Sequence, residues 1–576
     1  MPTDIAPVVY YDVVVIGSGI AGCTAAVRAA QTGAQVALAC CGPLFSGSSF
    51  YRGTWGLGLI GPTDEADEKD LEHTIRSVGC GVVNHKLVHR FVHAINPTLD
   101  WLEHDCHTSV RRASAAAAQQ RDYLPCFDHK HRNWQGLEHE ALIQSFSKLF
   151  DQLHITTLPY HSLLDLIEVQ NHITGALLYD QASHKPVVIH APSVLLATGG
   201  FGGLFNPTLT QPEVLSSAHA IALNHGCSLV NAEFIQLMPT IVSPIRGAIF
   251  NEKSFKYARV YSKEGRALVH ATPTCLDARS EHGPFSSRLA NAALDLEIAA
   301  QPSGTVKVQY DLPEQIPEFM KTYFDWLAAA AAVTPQDTLE IALWPHASNG
   351  GLYIDENGSC IGGPAGLYAA GESCGGMHGA DRLGGLSSAN ALVFGHIAGS
   401  NAGLYAQNNK HTGRSSAVYI NAIRACQNAY TQFTEGTACA RAQEFIDSIR
   451  EHMQQSCVLN RSEETLAATA QKLAWLQETA NSKSCSYAEL SDYEQARLSP
   501  QKWNDRRALS ALQQNLLLEA QALVAAMRIR TESRGSHYRT DFPQQSKDHD
   551  IMYRVFLDKD GLPRAAPLNE GASHVR

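Results

Sequence analysis

No CxxC pair occurs anywhere in the 576 residues, although the chain carries fourteen cysteines. Zinc sites, iron–sulfur centres and disulfide frameworks use close, repeated spacings, so none is expected, and no other metal centre is expected either. Cys40 and Cys41 are the only close pair, and many lone cysteines lie in apolar runs; buried, reduced thiols are the expectation. Also missing is an apolar run of membrane-spanning length: the most alanine-rich stretch, Ala328–Val333, is far too short. The opening MPTDIAPVVYYD has neither a basic segment leading into an apolar one nor a twin arginine, so no export signal and a cytoplasmic location are expected. Positive charge is in deficit, with 45 Lys and Arg against 56 Asp and Glu, a net charge of −11. That excludes a nucleic-acid partner, which requires a basic face, but leaves room for an anionic small molecule in a local basic pocket.

What is present is a soluble globular composition, 44% hydrophobic and 18% charged, in a chain long enough for two or three domains. Tyr11–Ile16 reads as a short strand buried on both faces, Cys23–Thr32 as an alanine-rich helix and Gln35–Ala39 as a second strand. Helical patterns follow from about Leu71 to Glu103. Leu163–Asp180 reads as alternating strands, Ser193–Ala197 as an apolar strand, and Gly366–Ala370 as another before a helix at Ser388–Leu404. Between them, Met238–Pro345 mixes loops and short strands with one good helix, Arg288–Ala299. A polar linker at Gln407–Ser416 precedes helical periodicity to about Arg530, then a tail without clear periodicity.

Gly17-Ser18-Gly19-Ile20-Ala21-Gly22 matches GxGxxG between a buried strand and a helix, the context in which that string binds a dinucleotide. The carboxylate that usually ends the second strand and binds ribose is replaced by Cys40-Cys41. Two further apolar strands break into glycines, at Leu195-Leu196-Ala197-Thr198-Gly199-Gly200 and at Gly366–Glu372, the latter continuing through Gly379–Gly385.

With GPLFSGSSFY at 42–51, NAEFIQLMPT at 231–240, PHASNGG at 345–351 and MRIRTESRGSHYRTDFP near the C-terminus, these blocks span most of the chain. In that order they resemble the succinate dehydrogenase/fumarate reductase flavoprotein family, and within it the L-aspartate oxidase branch. The resemblance implies an α/β fold: a discontinuous Rossmann-like FAD-binding domain, an inserted α+β capping domain and a C-terminal helical domain. The division expected is 1–237 and 347–412 for the FAD-binding domain, 238–346 for the cap, 413–540 for the helical domain and 541–576 for a tail.

The resemblance also implies site residues. FAD is expected on Gly17, Gly19 and Gly22, with Ser48, Ser49, Thr198, Gly199 and Gly200 around it, Glu372 on the ribityl chain, and Ser387 and Ser388 near the flavin ring. Ser48 stands where the dehydrogenase branch attaches FAD through a histidine, which implies non-covalent FAD. His346 and Arg382 match the family's substrate histidine and arginine; the planar guanidinium pairs well with a carboxylate. Arg288 lies near the position of the family's proton-transfer arginine without aligning cleanly, and is otherwise an ordinary first-turn helix residue. Further departures stand out: Met238 replaces a histidine that precedes Pro-Thr, the acidic RGEG segment is reduced to Glu252 in Asn251-Glu252-Lys253, and the family's Gly-Asp-Gly near the flavin becomes Ala218-His219-Ala220. The expected activity is hydride transfer between FAD and a small, carboxylate-bearing substrate. L-aspartate oxidation and a non-catalytic flavin-binding or electron-transfer role are the alternatives, and a separate electron-acceptor protein is a candidate partner.

Overall fold

The structure, a computed structural model, describes residues 9–54, 56–112, 130, 132–409, 420–425, 442–481 and 506–568. Its organising element is an all-parallel sheet of β1 (Val13–Ile16), β2 (Val36–Cys40), β3 (Thr156–Pro159), β4 (Ser193–Leu196) and β5 (Leu367–Ala369), in the spatial order β5-β4-β1-β2-β3. Every residue of β1, β2, β4 and β5 is buried, as expected for strands covered on both faces. Helix α1 (Ile20–Gln31) follows β1, and α2 (Leu386–Asn408) lies across it. The close approach depends on Gly395 and Gly399, where a Cβ would come within 2.6 Å of Ala21 O and 2.4 Å of Ala25 O. A three-stranded antiparallel run, His161–Val169, His172–Asp180 and Lys185–His190, fills the chain between β3 and β4.

The region expected as a cap is built on Ile235–Ser243 paired antiparallel with Leu339–Ser348, with Val306–Tyr310 and Ala258–Tyr261 beyond. The divisions expected at 237/238 and 346/347 fall inside the first two strands, so paired backbone links cap and cofactor domain. Two readings are corrected here. The helix expected from Arg288 begins at Ala292, because Ser287 donates both its N–H and its hydroxyl to Gly535 O, at 2.7 and 2.9 Å, and holds Arg288 in a turn. It is not the region's one helix: Pro273–Ser280 and Glu318–Ala331 are helical too, the latter burying Met320, Tyr323, Phe324 and Leu327.

Three helices follow, α3 (Ala442–Ser456), α4 (Glu463–Asn481) and α5 (Arg506–Ile529). The patternless tail is also corrected: Tyr553–Leu557 and Pro563–Pro567 form a hairpin, and its first strand pairs with Leu229–Val230. Most of the expected linker and the run Ala115–Ala118 lie outside the described residues. Among the described residues, no helix is long and apolar enough to cross a membrane.

Candidate active site

β1 delivers the chain to Gly17, whose φ of +106° and 2.2 Å virtual Cβ distance to Ala197 O leave room for glycine alone. A Cβ on Gly22 would lie 1.8 Å from Gly17 O. Gly17 and Gly22 therefore pack the loop against itself and against the end of β4. Gly19 is different. Its backbone is extended (φ −68°, ψ 178°), and a Cβ there would meet nothing nearer than Ser49 Oγ at 3.6 Å. It faces a cavity of about 360 Å³ that extends from the ends of β1, β2 and β4 to the cap strands.

Of the residues expected to hold the cofactor, Gly17, Gly19, Ser48, Ser49, Thr198, Gly199, Glu372, Ser387 and Ser388 line this cavity. Gly22 and Gly200 do not, and act one layer behind: a Cβ on Gly200 would collide with Glu372 Oε1 at 2.5 Å. Three features suit FAD. The N-cap of α1 is Gly19, which caps with no side chain, so the helix end keeps donors and positive dipole for a pyrophosphate. The buried Ser48 hydroxyl has no hydrogen-bond partner among the described residues. Glu372 accepts from Ser348 N at 2.8 Å; burial pushes its carboxyl above the ordinary range, against the pull of that N–H and of Arg382.

The cavity's far end holds Arg382, His346, Glu252 and Met238. Arg382 is buried and locked: Nε donates to Gln236 Oε1 at 2.9 Å and Nη1 to Leu383 O at 3.2 Å, while Nη2 has no partner among the described residues. His346 sits on the strand Leu339–Ser348, with Nδ1 buried and unpartnered among the described residues. Burial first, and the neighbouring Arg382 second, push its pKa down to about 3, so the imidazole is neutral. Burial raises the Glu252 carboxyl above its usual range, with Arg279, Lys253 and Arg382 offsetting only part. Met238 joins Leu209, Ile249, Ala342 and Trp344 in an apolar cluster edged by Tyr51.

Arg288 is the expected site residue that the structure places elsewhere. It does not line the cavity; its Nε lies 3.2 Å from Asp381 Oδ2, and its side chain is 30% exposed. Asp381 receives it together with His282, whose Nε2 is 3.4 Å away, and Gln236 at 3.4 Å. This Asp381–Gln236 bracket steadies Arg382 from behind, and sequence reading missed it. The tail contributes as well: Ser536 donates its N–H and hydroxyl to Ala380 O, at 3.0 and 3.1 Å, two residues from Arg382.

Sequence reading also missed Glu213. It lines the cavity at the end of β2, where Cys40-Cys41 leaves no carboxylate, and its side chain lies so close over Gly42 that a Cβ there would meet its Cγ at 2.3 Å. Cys41 Sγ donates to Glu213 O at 2.9 Å. A separation of 172 residues hides this neighbourhood from any local motif.

Comparison with known proteins agrees with this geometry. Residues 12–388 match the family described as FAD binding domain, and residues 446–565 match the fumarate reductase flavoprotein C-terminal family. One chain of the fumarate reductase (CoM/CoB) of Methanothermobacter marburgensis is 26% identical over 559 residues, 92% of this chain and 94% of that one. L-aspartate oxidase 1 of Ralstonia nicotianae is 26% identical over 406 residues, 67% of this chain and 73% of that one. In the solved structure of Escherichia coli quinol fumarate reductase, the flavoprotein chain shares the fold with a TM-score of 0.77 at 21% identity, covering 98% of each chain. Cofactor loop, cavity and C-terminal domain thus converge: the chain is an FAD-dependent oxidoreductase and belongs to the succinate dehydrogenase/fumarate reductase flavoprotein family.

Proposed function

We propose that this enzyme moves a hydride between FAD and a small acid whose remaining part is apolar, across the C–C or C–N bond beside its carboxylate. Bound FAD supplies the hydride-carrying chemistry. The observation that carries the reading is Arg382 in the wall of the FAD cavity, locked through Nε and Nη1 with Nη2 left over for an anion. His346, being neutral, adds a hydrogen bond rather than charge, and its unpartnered Nδ1 is the atom available for it. Glu252, which lines the cavity with a raised pKa, would exchange the proton that accompanies hydride transfer, in place of Arg288, which does not line it. Leu209, Met238 and Ile249 then face the rest of the substrate, and they offer no partner to a second carboxylate. At the other end, Glu213 takes the place of the missing ribose carboxylate, accepting from the adenosine ribose hydroxyls. FAD is held without a covalent bond. A separate electron-transfer protein completes the cycle, in keeping with the names of the fumarate reductase relatives, which are single components of larger enzymes.

L-aspartate oxidation is the second reading, favoured by the relatives of that name over the cofactor domain. Anaerobic bleaching of the bound flavin separates the two. Wild type, Arg382→Ala and Met238→His are mixed with succinate, L-aspartate and monocarboxylic acids bearing alkyl or aryl groups. The expected pattern is reduction by apolar acids, a loss of about 2–4 kcal/mol (roughly 30- to 1,000-fold) in Arg382→Ala, and a shift toward four-carbon dicarboxylates in Met238→His. Fast bleaching by L-aspartate in wild type supports the second reading. Equal rates in wild type and Arg382→Ala refute the anion role of Arg382, and no bleaching by any acid refutes both readings.

A further inference from the structure

Away from the cavity, two neighbouring helices bring four chemistry-bearing side chains to one exposed spot. Glu65–Val78 carries Glu68 and Glu72, four residues apart, and His85–Asp100 carries His89 and His93, also four apart, so each pair shares a helix face. Glu72 Oε1 lies 2.8 Å from His89 Nδ1 and 3.2 Å from His93 Nε2. The two imidazole centroids are 4.2 Å apart, and the three ligand atoms all lie within 4.8 Å of one another. The other nitrogen of His93, Nδ1, is 2.9 Å from Glu68 Oε2, and the other oxygen of Glu72 is 2.9 Å from Arg76 Nη2.

The geometry points to a binding site for a divalent transition-metal ion, Zn²⁺ or Co²⁺, on Glu72 Oε1, His89 Nδ1 and His93 Nε2, with water completing the coordination. A tetrahedral ion with bonds of about 2.0–2.1 Å spaces its ligands roughly 3.3 Å apart, so both glutamate–histidine edges already have about the right length. The donors, two imidazoles and one carboxylate, suit such an ion, whereas Ca²⁺ and Mg²⁺ demand oxygens. Glu68 does what a carboxylate behind a metal-bound histidine does: it accepts from Nδ1–H, fixing the tautomer that leaves Nε2 free for the ion. Arg76 orients Glu72 in the same way while lowering its affinity for a cation. His89, with a side chain 64% exposed, leaves the remaining coordination position open to solvent. None of these residues lines the FAD cavity. The ion would pin two helices, the second of which stacks Phe91 on Phe394 of α2, the helix that carries Ser387 and Ser388.

The test uses the full-length FAD-loaded protein, freed of metal by a chelator. Zn²⁺ alone is titrated by calorimetry, Co²⁺ alone by visible absorption, and melting is followed with and without Zn²⁺. One Zn²⁺ per chain, an intense four-coordinate Co²⁺ band and a Zn²⁺-dependent rise in melting temperature are expected of wild type. His89→Gln/His93→Gln should lose all three signals with FAD content intact, and Glu68→Gln should weaken Zn²⁺ about 10- to 100-fold without abolishing it. The chain has 26 histidines, so the comparison with the double variant is decisive. Wild type without stoichiometric binding, or a double variant that binds equally well, overturns the assignment.

Discussion

Gly19 separates holding the cofactor from holding the fold. In Gly19→Ala the new methyl sits in ordinary contact with Ser49 Oγ (3.6 Å) and Ser46 O (4.0 Å), on a backbone with φ −68° that any residue adopts. The apoprotein should melt unchanged or slightly higher, because replacing glycine at a compatible position stabilises by about 0.4–1 kcal/mol through the unfolded chain. FAD binding should suffer badly, since the methyl projects into the space where a pyrophosphate meets the start of α1. Loss of two charge-assisted hydrogen bonds, at about 1.5–3 kcal/mol each, comes to roughly 3–6 kcal/mol, or a ~10²- to 10⁴-fold rise in Kd. Gly19→Val should go further. Gly22→Ala should instead destabilise the apoprotein itself, because its Cβ would lie 1.8 Å from Gly17 O. The assay pairs apoprotein melting with FAD titration by flavin fluorescence. Glu213→Gln belongs in the same series: FAD affinity should drop while FMN, which has no adenosine, binds as before. Full FAD affinity in Gly19→Val, or an apoprotein that fails to fold, refutes the reasoning.

Acid precipitation should release all flavin into the supernatant, since Ser48 offers no covalent link; yellow protein pellets contradict this. With His346 held near pKa 3 by burial and Arg382, it is neutral in the free enzyme throughout ordinary pH. The kcat/KM profile should accordingly show no His346-dependent break at pH of about 6.5, and a break there that disappears in His346→Gln disproves it. His225 behaves oppositely: burial lowers its pKa, but Asp165 at 3.0 Å and Glu168 at 2.9 Å outweigh that and raise it to about 9. Its folded pKa lies above the unfolded value of about 6.5. The stabilisation, on the order of 2 kcal/mol after discounting for part-exposed carboxylates, is complete below pH ~6.5 and lost as pH rises through about 9. The melting temperature of wild type should therefore converge on that of His225→Gln across this window, and parallel curves refute it.

The cofactor half was legible because its determinants are consecutive. GSGIAG states strand end, turn, close approach and helix start within six residues, and Leu195–Gly200 does the same for β4. The substrate end draws single residues from positions 209, 238, 249, 252, 346 and 382, and no periodicity announces that they meet. The turn at Arg288, in place of the expected helix start, escaped for a related reason: the contact of Ser287 with Gly535, 248 residues onward, sets the backbone there. Other misses had signals within reach. Met320, Tyr323, Phe324 and Leu327 follow i, i+3, i+4, i+7 spacing after Pro317, and Asp560-Gly561 separates two short strands with a turn dipeptide.

The pairing of Leu229–Val230 with Arg554–Val555 ties the order of synthesis to the order of assembly. On their other side these two residues meet Gly351 and Leu352, so the little sheet is a seam that closes only when residues 554 and 555 arrive. Until residue 536 has emerged, Ala380 O also lacks both donors from Ser536, and the loop bearing Arg382 lacks that support. A chain made from its N-terminus therefore carries an unpaired strand edge from residue 352 until residue 554 has emerged, the condition under which aggregation competes with folding.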